Sequence, residues 1–300
     1  MSNEIINQQG GALSNRPENL PAFIQQGGEL AGTELLSQFI QPPRLKIVQP
    51  QSKPELKAQF NEGDIVIMPQ KELVVPIMLN EHNRPTDKGN AFLIVPIYFY
   101  PEYCSWNPIG VQGTMPAIRE RSTDQNSVIA KKARNPQTRE EICPEFPRDA
   151  DGKPQFIRHT EHLNFLCSLI SVEALWDTPV LISFFRGEAK TGQSFCAAIR
   201  MRHTHIYACQ FQAQAARRTN AKGNWFGLDI SNPPMQTGVD NRWVHDEALF
   251  NYFAQLHQEY AKAHKAGTII SDYDDEDSRT VDGSAVDATA AQNADGSARF

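Results

Sequence analysis

Basic and aromatic side chains alternate along one stretch of the chain, from Phe184 to Phe226, and both kinds are suited to nucleic acids. Between Arg186 and Lys222 this stretch carries seven bases against the single acid Glu188. Aromatic rings stack on the bases of a single strand while cations attract its phosphates, so such a surface binds a strand without reading its sequence. We therefore predict a nucleic-acid site formed by Arg186, Lys190, Arg200, Arg202, Tyr207, Arg217, Arg218, Lys222, Trp225 and Phe226.

Two local patterns shape this prediction. We expect a strand over Ser194–Arg202, whose two-residue period would place Arg200 and Arg202 on one face. We expect residues 215–224 to form a basic loop that follows a phosphate backbone. Trp225 is the strongest candidate for stacking, and the alternative for any of these rings is a place in the core.

A second basic group lies in a polar interval from 108 to 154, which we predict to be a long insertion between strands. It comprises Lys131, Lys132, Arg134 and Arg139. This group either extends the nucleic-acid track or forms the solvated end of a helix beside two glutamates. We include Lys131 and Lys132 among the predicted nucleic-acid-binding residues.

A zinc site is a weaker alternative. Two thiols and two imidazoles fall within a short interval, at Cys143, His159, His162 and Cys167. Structural zinc sites usually bring paired ligands at Cys-x2–4-Cys spacing, and this sequence has no such pair. We expect no metal or other cofactor.

A metal-dependent nuclease is the second chemical alternative. Acids and a lysine lie close together at Asp149, Asp151, Lys153 and Glu161. Such groups can hold magnesium and activate water, but Asp-Gly is also a common turn sequence. This hypothesis requires strand cleavage that is lost in Asp151→Ala.

The elements that would position these residues are short strands with few helices. Helices are predicted at 126–134 and, from apolar residues at three- and four-residue spacing, at 246–264. Runs rich in Val, Ile, Phe and Tyr, bounded by turn residues, predict strands at 45–48, 64–68, 73–79, 92–100, 163–172, 180–185, 194–202, 206–212 and 224–228. This pattern predicts a β-dominated α+β fold, an antiparallel OB-like barrel or sandwich with a long insertion and one C-terminal helix.

The charge is concentrated at one end of the chain. From Ser271 to Phe300 there are eight acids and two bases, a net charge of −6, so the other residues sum to zero. We predict a flexible segment at 1–30, a nucleic-acid-binding domain at 31–267 and a disordered acidic tail at 268–300. The chain shows no apolar run long enough to span a membrane and has five unpatterned cysteines, so we predict a cytoplasmic protein.

The tail has a composition suited to two tasks. A tethered polyanion competes with nucleic acid for a cationic groove, and a terminal Phe can dock on a partner through its ring and carboxylate. We therefore expect a chain shortened to 1–267 to bind DNA at least as tightly as the full chain. The residues predicted to bind a partner are Asp274, Asp275, Glu276, Asp277 and Phe300.

With this acidic tail and its basic and aromatic strands, the chain resembles single-stranded-DNA-binding proteins of the phage and bacterial replication type. The resemblance implies an OB β-barrel followed by a tail that recruits replication and recombination proteins. We predict a non-enzymatic protein that coats and protects single-stranded DNA in the host cytoplasm, as a monomer or a homo-oligomer. The alternative of another class is a virion or assembly protein whose basic strand is a contact between subunits.

Overall fold

The computed structural model describes residues 41–75, 91–108, 116–170, 179–220, 223–234, 240–269, 271 and 273, and the backbone at 78–79 and 85–86. The helices are α1 (Pro54–Lys57), α2 (Val128–Arg134), α3 (Ala189–Met201) and α4 (Glu247–Lys265). The strands are β1 (Arg44–Ile47), β2 (Ile65–Met68), β3 (Glu72–Leu73), β4 (Met78–Leu79), β5 (Pro85–Thr86), β6 (Ala91–Trp106), β7 (Ile118–Ser122), β8 (Glu140–Ile142), β9 (Phe156–Ile170), β10 (Val180–Phe185), β11 (Phe211–Asn220) and β12 (Gly223–Ser231). The predicted N-terminal segment and the acidic residues from 274 onward lie outside the described residues.

One large sheet carries most of the fold, with the order β12-β11-β6-β9-β10-β1-β2-β3. Within it, β11-β6-β9-β10 follows the Greek-key order 4-1-2-3. The fold is therefore β-dominated α+β, as predicted. The prediction of a wholly antiparallel sheet is wrong, because β1 pairs in parallel with β10. The long connection between β1 and β10 allows this direction, whereas a tight hairpin would not.

The sheet is open along its path. Among the described strands, no backbone pairing joins β12 to β3, so a closed OB-like barrel is not shown. The two ends of the path still approach each other. The Gln49 side chain, just after β1, donates to the Phe226 carbonyl and accepts from the Phe226 amide, both at 2.8 Å. A Cβ on Gly63, whose φ is +92°, would lie 2.9 Å from the Phe226 ring, so this close approach requires glycine.

The inner face of the sheet forms the main apolar core. Its centre is a group of rings in which Phe165 lies 4.5 Å from Phe195 and Phe195 lies 4.9 Å from Phe211, measured between centroids. Phe195 belongs to α3, which packs against β9, β10 and β12. Helix α3 therefore covers the inner face and binds distant strands together.

The predicted strand at 194–202 is wrong, because these residues belong to α3. The core-facing residues of this helix recur at helical spacing: they are Phe195, Ala198 and Ile199. The same segment also contains a short alternation of apolar and polar residues, which predicted a strand. The helix approaches β10 closely at Gly192, where a Cβ would lie 2.7 Å from that of Phe184. Arg200 and Arg202 consequently do not share a strand face.

Helix α4 covers part of the outer face. Leu249 and Phe253 pack against Val95, Leu166 and Leu181 of the sheet. Asp246 caps the helix, since its carboxylate accepts a hydrogen bond from the Leu249 amide at 2.9 Å. The helix predicted at 246–264 is thus confirmed.

The insertion between β6 and β9 is largely ordered. Both long strands extend beyond the core, and β7 pairs with β6 while β8 pairs with β9. Helix α2 packs on this extension through Ile129 and Ala130, which contact Tyr103. Its N-terminus is capped by Ser127, which confirms the helix predicted at 126–134.

The cysteines and the apolar character of the helices bear on the predicted cytoplasmic location. All five cysteines lie in the described part of the chain, and each carries a free thiol. None of the described helices has both the length and the apolar character needed to cross a bilayer.

Candidate nucleic-acid interface

A row of three outward side chains crosses the centre of the sheet. His162 of β9 lies directly opposite Glu102 of β6 on one side and opposite Phe185 of β10 on the other. Directly opposed residues in antiparallel strands face the same side, so the three side chains form one surface. The His162 and Phe185 rings stack with centroids 4.5 Å apart and planes 24° apart.

Tyr273 lies in this surface although it follows the last helix by several residues. Its ring centroid is 4.3 Å from that of His162 and 6.2 Å from that of Trp106. Only 5% of the residue is exposed. We call the surrounding residues the Tyr273 socket: Arg44, Glu102, Trp106, Arg121, His162, Asn164, Phe185 and Arg186.

Hydrogen bonds fix the tyrosine hydroxyl at the floor of the socket. The hydroxyl donates to Glu102 Oε2 at 2.8 Å and accepts from the Asn164 amide at 2.8 Å. Burial and the neighbouring carboxylate raise the pKa of Tyr273 well above its usual value, so the hydroxyl stays protonated and remains a donor.

A chain of hydrogen bonds runs beneath the rings. Trp106 Nε1 donates to Thr160 Oγ1 at 2.6 Å, which lies 2.9 Å from His162 Nε2. His162 Nδ1 lies 3.3 Å from Ser183 Oγ. Burial, followed by the charges of the three socket arginines, lowers the pKa of His162 well below its usual value. The imidazole is therefore neutral.

Three arginines surround the rings. The guanidinium carbons of Arg44 and Arg121 each lie 5.4 Å from the centroid of Tyr273, and that of Arg186 lies 5.9 Å from the centroid of Phe185. Glu102 is the carboxylate within the socket, 3.5 Å from Arg121. Three guanidinium groups and one carboxylate give these side chains a net charge of +2. The socket thus combines rings with positive charge.

The chain reaches the socket through a turn after α4. Gly267 takes a left-handed conformation, with φ +69°, and the Thr268 amide donates to the Ala263 carbonyl. Ser271 then shares a hydrogen bond of 2.9 Å with Tyr100, and Arg121 donates to the Ser271 carbonyl. These contacts hold Ser271 against the outer face of the sheet.

The basic loop predicted at 215–224 is wrong in its described part. Residues 215–220 continue β11 and residues 223 and 224 begin β12, while Lys222 lies outside the described residues. These residues pair as a hairpin with Arg218 opposite Trp225, because a regular ladder satisfies their backbone groups better than a loop.

Glu188 binds the side chains of this hairpin. It accepts from Arg218 Nε at 2.9 Å and from Trp225 Nε1 at 3.1 Å. Arg218 also pairs with Asp229 at 2.9 Å. Arg218 and Trp225 are therefore tied to neighbouring groups, whereas Arg217 is exposed.

The predicted residues in and after α3 have different roles. Lys190 and Arg200 are exposed on the helix. Arg202 lies with its guanidinium carbon 3.8 Å from the Phe211 centroid, and it donates to the carbonyls of Gln210 and Arg242. Arg202 thus holds two loops together. Among the remaining predicted rings, Tyr207 packs on Phe250 of α4 and Phe226 packs on Gly63.

A comparison with protein families identifies the chain. The sequence pattern of the Pam3 phage gp34-like protein family matches residues 13–266, well over half of the chain. This chain belongs to the Pam3 phage gp34-like family. The family description names a phage protein, and phage proteins are one of the two groups that the sequence resembles. Neither the curated proteins nor the solved structures gave a match.

The region matched by the Pam3 phage gp34-like family includes all eight residues of the socket. Arg44, Trp106, Arg121, His162 and Phe185 all lie within residues 13–266. The match ends before Tyr273, which fills the socket. The socket residues therefore lie inside the part of the chain that the family matches, and Tyr273 lies outside it.

The cations of the insertion between β6 and β9 are mostly paired in its described part. Lys132 donates to both oxygens of Glu141 at 2.7 Å, and Arg134 pairs with Glu161 at 2.9 Å. Lys131 is exposed. Beside Lys132 is a cleft of about 280 Å³, into which His159 projects.

The residues of the two metal hypotheses do not form ligand clusters. Within the described ranges, no group of three or more His, Cys, Asp or Glu side chains is placed to hold a metal ion. Cys167 faces the inner core, while His162 faces the socket. Asp149 accepts hydrogen bonds from the amides of Asp151 and Lys153, as in a turn.

Most of the socket residues were not predicted from the sequence. Of its eight residues, Arg186 alone was among the predicted nucleic-acid-binding residues, and Tyr273 was passed over within the tail. The others are separated in the chain and show no local charge cluster. The sequence feature that could have indicated the socket is "RHTEHLN", in which every second residue from Arg158 to Asn164 is polar. Two of these positions, His162 and Asn164, are buried in the fold.

Proposed function

We propose that this protein binds single-stranded DNA without catalysing a reaction, in phage or replicon replication or recombination. The observation that carries the proposal is the Tyr273 socket, in which three arginines surround stacked rings on one outward face of the sheet. Rings stack on bases and arginines attract phosphates, which is the combination that single-strand binding uses.

The order of the strands supports this proposal. An OB fold is a five-stranded, partly open Greek-key barrel that binds oligonucleotides on the face of its second and third strands. We propose that β6, β9, β10, β11 and β12 correspond to these five strands, with β1 inserted between β10 and the neighbourhood of β12. The second and third strands are then β9 and β10, which carry His162 and Phe185.

The two basic groups predicted from the sequence fit the same scheme. In OB folds the loops after the first and fourth strands flank the ligand face. Here these connections are the insertion at 107–155, with Lys131 exposed, and the β11–β12 hairpin, with Arg217 exposed. We propose that both provide phosphate contacts beside the socket. The acidic tail would recruit replication and recombination proteins.

The proposal is tested by titrating labelled oligonucleotides with the full chain at two salt concentrations, with fluorescence anisotropy as the readout. We expect preference for single strands over duplex and a steep loss of affinity with salt. Arg121→Gln removes a socket cation whose side chain is one third exposed, and should weaken binding about tenfold, as loss of a charged contact does. Lys71→Gln, at an exposed turn before β3, is the matched control and should leave the affinity within about twofold.

Each other outcome contradicts the proposal in a defined way. No binding of any oligonucleotide at low salt, together with a large homo-oligomer, would favour an assembly protein. Cleavage of the strand with magnesium would favour a nuclease. Equal losses in Arg121→Gln and Lys71→Gln would show that binding is not centred on the socket.

A further inference from the structure

We propose that the Tyr273 socket is a binding site for one nucleobase of the strand, and that the chain's own Tyr273 occupies this site in the free protein. This inference rests on the proposed function and assigns a position to one base. Binding then requires displacement of the Tyr273 ring from the socket, since the ring and the base occupy the same space.

The contacts of the tyrosine ring are those that a base requires. Its ring centroid lies 4.3 Å from that of the neutral imidazole of His162, with the two planes tilted by 33°. Trp106 lies at 6.2 Å, and two guanidinium groups lie at 5.4 Å. A planar base in the same place keeps each of these interactions.

The floor of the socket can also bind the edge of a base. Glu102 Oε2 accepts from the tyrosine hydroxyl and from Asn164, at 2.8 and 3.2 Å. When Tyr273 leaves, Glu102 Oε2 retains Asn164 but loses the hydroxyl donor, whose place an N–H group of a base can take. Each of the four bases carries an N–H group on its pairing edge, so the site can accept any of them.

The negative charges that flank the tyrosine in the sequence resemble those of a nucleic-acid strand. Tyr273 lies between Asp272 and Asp274, and three more acids follow, Asp275, Glu276 and Asp277. A ring flanked by negative charges has the pattern of a base flanked by phosphates. The arginines that surround the ring therefore suit both occupants.

The test compares full-chain variants that separate the ring from the charge. Tyr273→Ala removes the ring and leaves the acids, while Tyr273→Phe retains the ring and removes the two hydrogen bonds of the hydroxyl. A third variant, Asp274→Asn with Asp275→Asn, Glu276→Gln and Asp277→Asn, removes acids and retains the ring. All are titrated with labelled oligo(dT) at low salt, and their melting temperatures are measured.

We expect Tyr273→Ala to bind oligo(dT) about tenfold more tightly and associate faster than the parent protein, because the site no longer has to open. Tyr273→Phe should lie between the two. Unchanged or weaker binding by Tyr273→Ala at an unchanged melting temperature overturns the inference. If the alanine variant is unfolded, the phenylalanine variant decides, and an affinity no higher than that of the parent overturns it.

The same series separates this inference from the proposed function. If no variant binds, the function itself is wrong. If all bind equally, or if only the variant with fewer acids binds more tightly, single-strand binding stands and the assignment of Tyr273 is wrong.

Discussion

Both faces of β9 carry aromatic side chains, but these side chains have different surroundings on the two faces. On the inner face, Phe165 packs against Phe99, Phe184 and Phe195 among aliphatic side chains. On the outer face, three residues earlier, His162 stacks with Phe185 and contacts the tilted ring of Tyr273 beside arginines. Both faces are buried and aromatic.

The difference lies in the polar groups. The inner face is stabilised by removal of apolar surface from water, which needs no specific partner. The outer face buries a carboxylate, an imidazole and an amide, each of which must be paired to avoid a cost in free energy. Stability alone does not require these polar groups on the outer face, and their presence supports the binding role proposed above.

The largest effect in this comparison is expected from Phe165→Ala on the inner face. The ring is fully buried at the centre of the aromatic cluster, so its loss should lower the free energy of unfolding by about 3–5 kcal/mol. Urea denaturation measures this change. Phe146→Ala, at a residue that is 38% exposed, is the control and should change stability by about 0.5 kcal/mol or less. Similar losses in both variants would contradict the assignment of the core.

Acidification is expected to weaken the outer face. Burial and the socket arginines lower the pKa of His162, so the unfolded chain binds more protons than the folded one below pH about 6.5. Stability should therefore be constant above that pH and fall as the pH drops below it. Burial also lowers the pKa of His159 and His264, which adds to this slope.

Denaturation curves between pH 5 and 8 would measure this slope. His162→Gln should reduce it, and the exposed His203→Asn serves as the control. A slope that is equally steep in His162→Gln would show that other groups cause the acid sensitivity.

A smaller effect is expected where the hairpin meets α3. Glu188→Gln removes the charge that Arg218 and Trp225 share and should cost about 1–2 kcal/mol of unfolding free energy. Thermal melting would measure it. Because Arg218 is then freer to contact phosphates, oligonucleotide affinity should not fall. A tenfold loss of affinity would instead indicate that Trp225 must be held in place for binding.

The smallest effect is expected from Lys190→Ala on the exposed side of α3. Its stability should change by about 0.5 kcal/mol or less, since the side chain is solvated. In the binding assay its loss should be smaller than that of Arg121→Gln, because Lys190 was predicted from local charge alone and is not among the socket residues. A larger loss than in Arg121→Gln would move the interface from the socket to α3.

The sequence permitted prediction of the elements whose patterns are local. The strand at Val180–Phe185 and the helix at Glu247–Lys265 were predicted closely, since their periods and caps lie within the segments themselves. Helix α3 was missed because its apolar residues form one short continuous run, 195–199, which fits a strand as well as a buried helix. The parallel pairing of β1 with β10 depends on long-range packing, which local patterns do not record.

The candidate site was less predictable than the fold. Basic residues close in sequence proved to be distributed between exposed positions, such as Arg217, and structural ones, such as Arg202. The socket instead gathers residues from segments as distant as Arg44 and Tyr273. Each of these segments has ordinary composition, so the cluster exists only in the folded chain.

The paired hydrogen bonds between Gln49 and Phe226 have a consequence for association between copies of the protein. The end strand of an open sheet presents unpaired amides and carbonyls, which can recruit a strand from a second molecule. At Phe226 both backbone groups are already engaged by a side-chain amide. The Gln49 side chain thus prevents a strand of another molecule from pairing with β12 at this position. The sheet stays open, but its edge is occupied at Phe226.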